Sequence, residues 1–157
     1  MPTIRQITSI NAPVPVCFDL ARNVDIHTQT TAKTQEKAIG GVTSGLLEIG
    51  DTVTWEAVHF GVKQRLTAQI VEMDAPHSFT DVMVKGAFKS FTHIHEFREH
   101  KNGTLMKDTF SYKAPLGLIG TLANKLFLKR YMHTFIKMRA NELKKIAEQK
   151  KHSYLMR

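Results

Sequence analysis

The segment Phe91-Thr92-His93-Ile94-His95-Glu96-Phe97 carries the residue types best able to do chemistry in this chain. Residues two apart on a strand face the same way, so as a β-strand it turns Phe91, His93, His95 and Phe97 to one side. The two phenylalanines mark that side as the buried one. Downstream, Met106, Asp108, Phe110 and Tyr112 also share a face. A hairpin closed through Lys101-Asn102-Gly103, whose Asn-Gly accommodates the positive φ of tight turns, brings Asp108 across from one of the histidines. Two histidines and a carboxylate suit three chemistries. They can ligate a metal. They can run acid–base catalysis, because imidazole titrates near neutrality and a carboxylate fixes its tautomer. They can also form a hydrogen-bonded cluster that holds the polar end of a ligand. His93, His95 and Asp108 are therefore the catalytic candidates, but the ligand-holding reading is the expected one. No structural metal and no cofactor are expected, since a chain of this size folds on its own core.

These residues need a core to hold them, and 157 residues suffice for one domain. The composition, 42% hydrophobic and 23% charged, is that of an ordinary globular chain. Cys17 stands alone, which excludes an internal disulfide. No run approaches the ~18 apolar residues of a membrane span, and the opening Met1-Pro2-Thr3-Ile4-Arg5 has no apolar signal core. A cytoplasmic setting is the expectation. The formal net charge is +8. Much of it is local to 125–157, where Lys125, Lys129, Arg130, Lys144, Lys145 and Lys150 outweigh Glu142 and Glu148. A solvated helix face explains that run, and without an aromatic-plus-basic sheet motif no nucleic-acid partner is expected.

Alternation predicts a strand over 3–10. Asn11-Ala12-Pro13 then opens a helix, with Asn11 or its neighbours as cap, and 25–31 reads as a second short helix. Strands follow over 35–39, 51–60, 62–71, 79–85, 88–97 and 104–113, punctuated by Gly40-Gly41, Gly61, Asp74-Ala75-Pro76 and Gly86. A long helix runs from about 119 to 148. At ~100° per residue, Leu128, Tyr131, Met132, Phe135, Leu143 and Ile146 share its apolar face, with Arg139 and Glu142 on the same side and expected to pair. Ile119, Leu122 and Leu126 point elsewhere. That displaced patch calls for a second contact, either weak docking to an anionic membrane surface or a homodimer. The order of elements gives an α+β protein, an antiparallel sheet with helices on one side.

Three local patterns resemble the SRPBCC or START-like superfamily, which includes birch-pollen-allergen-type proteins and a bacterial polyketide cyclase/dehydrase-like branch. They are Ile10-Asn11-Ala12-Pro13-Val14-Pro15-Val16-Cys17-Phe18-Asp19-Leu20, then Ile70-Val71-Glu72-Met73-Asp74-Ala75-Pro76-His77-Ser78-Phe79, and the Pro115-Leu116-Gly117 entry into the last helix. The resemblance implies a helix-grip fold: about seven curved antiparallel strands around the long C-terminal helix, with two short helices after the first strand. One START-like domain is expected over 1–150, with a basic tail at 151–157. The resemblance further implies a hydrophobic or amphipathic small-molecule ligand, of lipid, isoprenoid or polyketide kind, held between sheet and helix. Trp55, His59, Phe91, His93, His95, Asp108, Phe110, Tyr112, Tyr131, Phe135 and Arg139 are the residues expected to line that space. The alternative is a cyclase or dehydratase using a His/Asp pair in the same cavity.

Overall fold

The computed structural model describes residues 2–114 and 122–155. Seven strands, β1 (Thr3–Ile10), β2 (Lys37–Gly41), β3 (Thr52–His59), β4 (Val62–Asp74), β5 (Ser78–Lys85), β6 (Ser90–His100) and β7 (Gly103–Lys113), form one antiparallel sheet in the order β1-β7-β6-β5-β4-β3-β2. Helices α1 (Val14–Ala21) and α2 (Val24–Thr30) lie between β1 and β2, and α3 (Leu122–Leu155) ends the chain. This is the α+β arrangement expected from the order of elements and the helix-grip fold implied by the resemblance. The expected Pro115-Leu116-Gly117 entry and Ile119 lie outside the described residues. The long helix does not stop near 148 but continues through Leu155. At 1.5 Å per residue its 34 residues span roughly 51 Å.

Local chemistry explains where elements start and stop. Pro13 occupies the N-cap of α1 with no side-chain cap, so Asn11 does not take that role. The cap the sequence missed is Asn23, whose Oδ1 accepts from the Ile26 N–H at 3.1 Å and starts α2 one residue early. In the β6–β7 turn the positive φ falls on Lys101 (49°) and Asn102 (63°), not on the glycine. Gly103 is required for a different reason: a Cβ there would sit 2.4 Å from the Ile10 carbonyl oxygen, where the hairpin crosses the end of β1.

Two apolar cores flank the middle of the sheet. In one, Phe18 of α1 packs edge-on against Phe79 and Phe97, with ring centroids at 5.6 and 5.7 Å, beside Met106, Ala140, Leu143 and Ala147. In the other, Phe91, Phe110 and Tyr112 pack with Leu128, Met132 and Ile136. The C-terminal part of α3 is pinned to the end of β1: Lys144 donates to the Ser9 carbonyl at 2.6 Å and the Asn11 N–H donates to Glu148 at 3.0 Å. Both cores are anchored on α3, and the space left between helix and sheet is the cavity.

Candidate functional site

A cavity of about 950 Å³ lies between α3 and the concave face of the sheet. Trp55, His59, Phe91, His93, His95, Asp108, Phe110, Tyr131, Phe135 and Arg139 all line it. Tyr112 does not, which corrects the expectation. It is 1% exposed and flanked by Phe88 and Phe110, at 5.4 and 5.7 Å between centroids, and its hydroxyl finds no hydrogen-bond partner among the described residues. Its strand face was read correctly, but the aromatic cluster of the second core closes over it.

The inner part of the cavity is polar. The β6–β7 register sets His95 directly opposite Asp108 and His93 opposite Phe110. Asp108 nevertheless serves both histidines. His93 Nε2 donates to Asp108 Oδ1 at 3.0 Å, and His95 Nδ1 lies 3.2 Å from the same oxygen. The two imidazoles stack with centroids 3.8 Å apart. The far nitrogen of His95, Nε2, donates at 2.8 Å to Asp81, a residue the sequence analysis did not select. Its signal was present: Phe79, Asp81 and Met83 alternate on one strand face, so a carboxylate between two apolar neighbours belonged to the buried side.

Burial alone would push His95 toward its neutral form, but its interactions with the accepting carboxylates Asp108 and Asp81 outweigh it and raise the imidazole above its ordinary pKa. His93 goes the other way, because burial and the adjacent His95 hold it neutral against the pull of Asp108. Burial also works against the two carboxylates. Their hydrogen bonds from the histidines prevail and keep both below the usual carboxylate range, Asp108 from His93 and His95, Asp81 from His95. The two histidines are thus driven apart, His95 toward the charged form between two carboxylates and His93 toward the neutral form beside it.

A second polar group adjoins the first. His27 of α2 stacks on Trp55 with centroids 4.0 Å apart, and its Nε2 meets Glu36 at 3.2 Å. Burial, with Arg139 adding to it, lowers the pKa of His27. Arg139 does not pair with Glu142, which binds Lys145 at 3.1 Å. The three-residue offset turns Glu142 to solvent while Arg139 faces the cavity, where its Nη2 reaches the Ala21 carbonyl at 3.5 Å. No carboxylate among the described residues lies within ion-pairing distance of its guanidinium.

The mouth is aromatic. Tyr131 and His59 share a hydrogen bond through the Tyr hydroxyl and His59 Nδ1. Phe60, at the positive-φ turn Phe60-Gly61, stacks obliquely on Tyr131 and Phe127 at 4.5 and 5.5 Å. Phe60, Val62, Leu126 and Phe127 are all more than half exposed.

No model of a known protein family matches the chain, and no curated protein does. Solved structures do. Protein TTHA0849 from Thermus thermophilus superposes with a TM-score of 0.76 at 20% identity, covering 92% of this chain and 95% of that one. The major latex-like protein 151 of Panax ginseng gives 0.66 at 16% identity over 93% and 97%. Ara h 8.0201, a Bet v 1-like allergen, gives 0.63 at 11% identity over 90% and 97%. This chain has the Bet v 1-like helix-grip fold. At these identities the likeness carries the fold alone, and function has to come from the cavity.

Proposed function

We propose that this chain binds a hydrophobic or amphipathic small molecule, of lipid, isoprenoid or polyketide type, between the sheet and α3. The cavity supports this reading. Its volume of about 950 Å³ is at the upper end of the ~300–1,000 Å³ of small-molecule sites. Its walls are mainly apolar (Trp55, Leu66, Phe91, Phe110, Leu128, Met132), with the buried cluster of Asp81, His93, His95 and Asp108 at one end. In this reading a ligand places its polar group among His93, His95, Asp81 and Arg139 and its apolar body toward Phe135 and Tyr131. Entry is at the mouth, where exposed Phe60, Val62, Leu126 and Phe127 stand on elements that also carry exposed Lys63, Lys125 and Lys129. That mixture suits weak contact with an anionic bilayer from a cytoplasmic setting. None of the described helices is long and apolar enough to cross a membrane. Native mass spectrometry of protein purified without detergent, followed by denaturing extraction, tests the binding reading. The expected result is a stoichiometric adduct that reappears as an extractable apolar compound. A crystal structure with the cavity filled by side chains would overturn it.

The second reading is a cyclase or dehydratase on the polyketide cyclase-like pattern. One observation favours it: His93 is held neutral, with Nε2 fixed by Asp108 and Nδ1 free of any hydrogen-bond partner among the described residues. A general base needs such a nitrogen facing the substrate, and Arg139 could stabilise an oxyanion. For an enzyme, Asp108→Asn leaves ligand affinity within a few-fold and lowers turnover roughly 10²–10⁴-fold. For a binding protein it weakens affinity, and no turnover exists to lose.

A further inference from the structure

We propose that Asp81, His93 and His95 form a site for a divalent transition-metal ion, with Asp108 as the carboxylate that orients both histidines. One ligand atom from each of the three residues lies within 4.8 Å of the other two. Donors around a tetrahedral ion such as zinc sit roughly 3.4 Å apart, so modest side-chain rotation closes the set. The role of Asp108 carries the argument furthest. It takes His93 by Nε2 and His95 by Nδ1, the opposite nitrogen in each ring. That leaves His93 Nδ1 and His95 Nε2 as the nitrogens available to an ion, and His95 Nε2 already lies 2.8 Å from Asp81. A histidine that ligates a metal characteristically gives its other ring N–H to a carboxylate; Asp108 accepts this bond from His93 and lies 3.2 Å from His95 Nδ1.

A second observation is independent of that geometry. Three buried or half-buried carboxylates, Glu36, Asp81 and Asp108, line the cavity, and of the lining cations Arg65, Lys85 and Arg139 it is Arg139 that acts on Glu36 and Asp81. A divalent ion restores neutrality there. His95 Nε2 and Asp81 lie 2.8 Å apart; a metal ion ligated by both releases the His95 Nε2 proton to solvent. Three protein ligands leave a coordination position open, and it faces the cavity, where a ligand's carbonyl or hydroxyl oxygen can fill it. The cluster is closed by its own hydrogen bonds in the metal-free fold, so the site is compatible with a chain that folds without metal.

The test uses tag-free full-length protein stripped with a chelator. Zinc is titrated by equilibrium dialysis with elemental analysis, and cobalt(II) serves as a spectroscopic probe. The expected result is one zinc per chain and a visible cobalt d–d spectrum of low coordination number. Asp81→Asn and His93→Gln should each weaken zinc more than about 100-fold, and Asp108→Asn by roughly 10–100-fold. Wild-type protein, folded by circular dichroism, that binds zinc no more tightly than a His93→Gln/His95→Gln double variant would overturn the proposal. The same chelated protein is assayed for uptake of an apolar fluorescent probe. Uptake without metal binding defeats the metal site and leaves the cavity reading standing, whereas metal binding without uptake does the reverse.

Discussion

At the inner end of the cavity, Asp81, His93, His95 and Asp108 hold one another at 2.8–3.2 Å in buried or half-buried positions on the central strands. At the mouth, Phe60, Phe127 and Tyr131 touch each other and solvent, on a turn and the early part of a helix. Charges taken out of water are costly unless every partner is in place, so the inner end admits few arrangements. Exposed rings lose little by moving. A cavity built this way selects its ligand by the polar group at one end and exchanges it through the other.

The most disruptive way to break this contrast is Asp108→Asn. It leaves His95 with one carboxylate and His93 with none, and a buried pair broken on one side costs about 3–5 kcal/mol. Urea unfolding of metal-free protein should show that loss, and a change below about 1 kcal/mol would mean that solvent reaches the cluster. Next in size is Ala68→Trp, at a lining position on β4. Filling empty space should leave stability nearly unchanged and weaken uptake of an apolar probe by about tenfold or more, roughly 1.4 kcal/mol. Unaltered uptake would move the ligand elsewhere.

A smaller effect concerns pH. His27 lies between Trp55 on β3, Glu36 ahead of β2, Asp81 on β5 and Arg139 on α3. Its lowered pKa means that the unfolded chain takes up the proton first as pH falls below about 6.5. Stability therefore drops between that value and the folded pKa. His93 and His59, also lowered, act in the same sense, whereas His95, raised, contributes most below about 6.5 and loses its contribution at higher pH. The stability at about pH 7.5 minus that at about 5.5 should be smaller for His27→Gln than for wild type. An equal or larger difference would contradict this assignment. The smallest stability effect belongs to the mouth. Phe60→Ser should stay within about 0.5 kcal/mol of wild type while reducing co-sedimentation with anionic vesicles at low salt. Unchanged co-sedimentation, with a dimer by light scattering, would assign the exposed patch to a second copy instead.

What the sequence revealed follows from distance along the chain. The β6–β7 hairpin is local, so the alternation of Phe91, His93, His95 and Phe97 and the turn at Lys101-Asn102-Gly103 were enough to bring Asp108 across from one of the histidines. Asp81 belongs to β5, and its approach to His95 depends on the β5–β6 register, which sets it across from His93 rather than His95. A strand pattern cannot give such a diagonal contact. Glu36 sits just ahead of β2 without any periodic signal, and only the packing of α2 over the sheet brings it to His27. Arg139 was placed on the correct face of α3 but given the wrong partner, because a helical wheel shows neighbours on the helix and not the cavity opposite. Tyr112 failed for a related reason: a shared strand face does not say which of its residues a neighbouring aromatic will cover.

Trp55 is the chain's single tryptophan, and it is stacked on His27 at the wall of the cavity. The molecule therefore carries its own optical reporter, placed where the polar group of a ligand is expected to arrive. All tryptophan emission comes from this one ring, so no background from other indoles dilutes its signal. A change in what fills the space beside it, or in the protonation of the imidazole against it, changes the intensity and colour of that emission directly. Screening unlabelled compounds then needs only a fluorimeter.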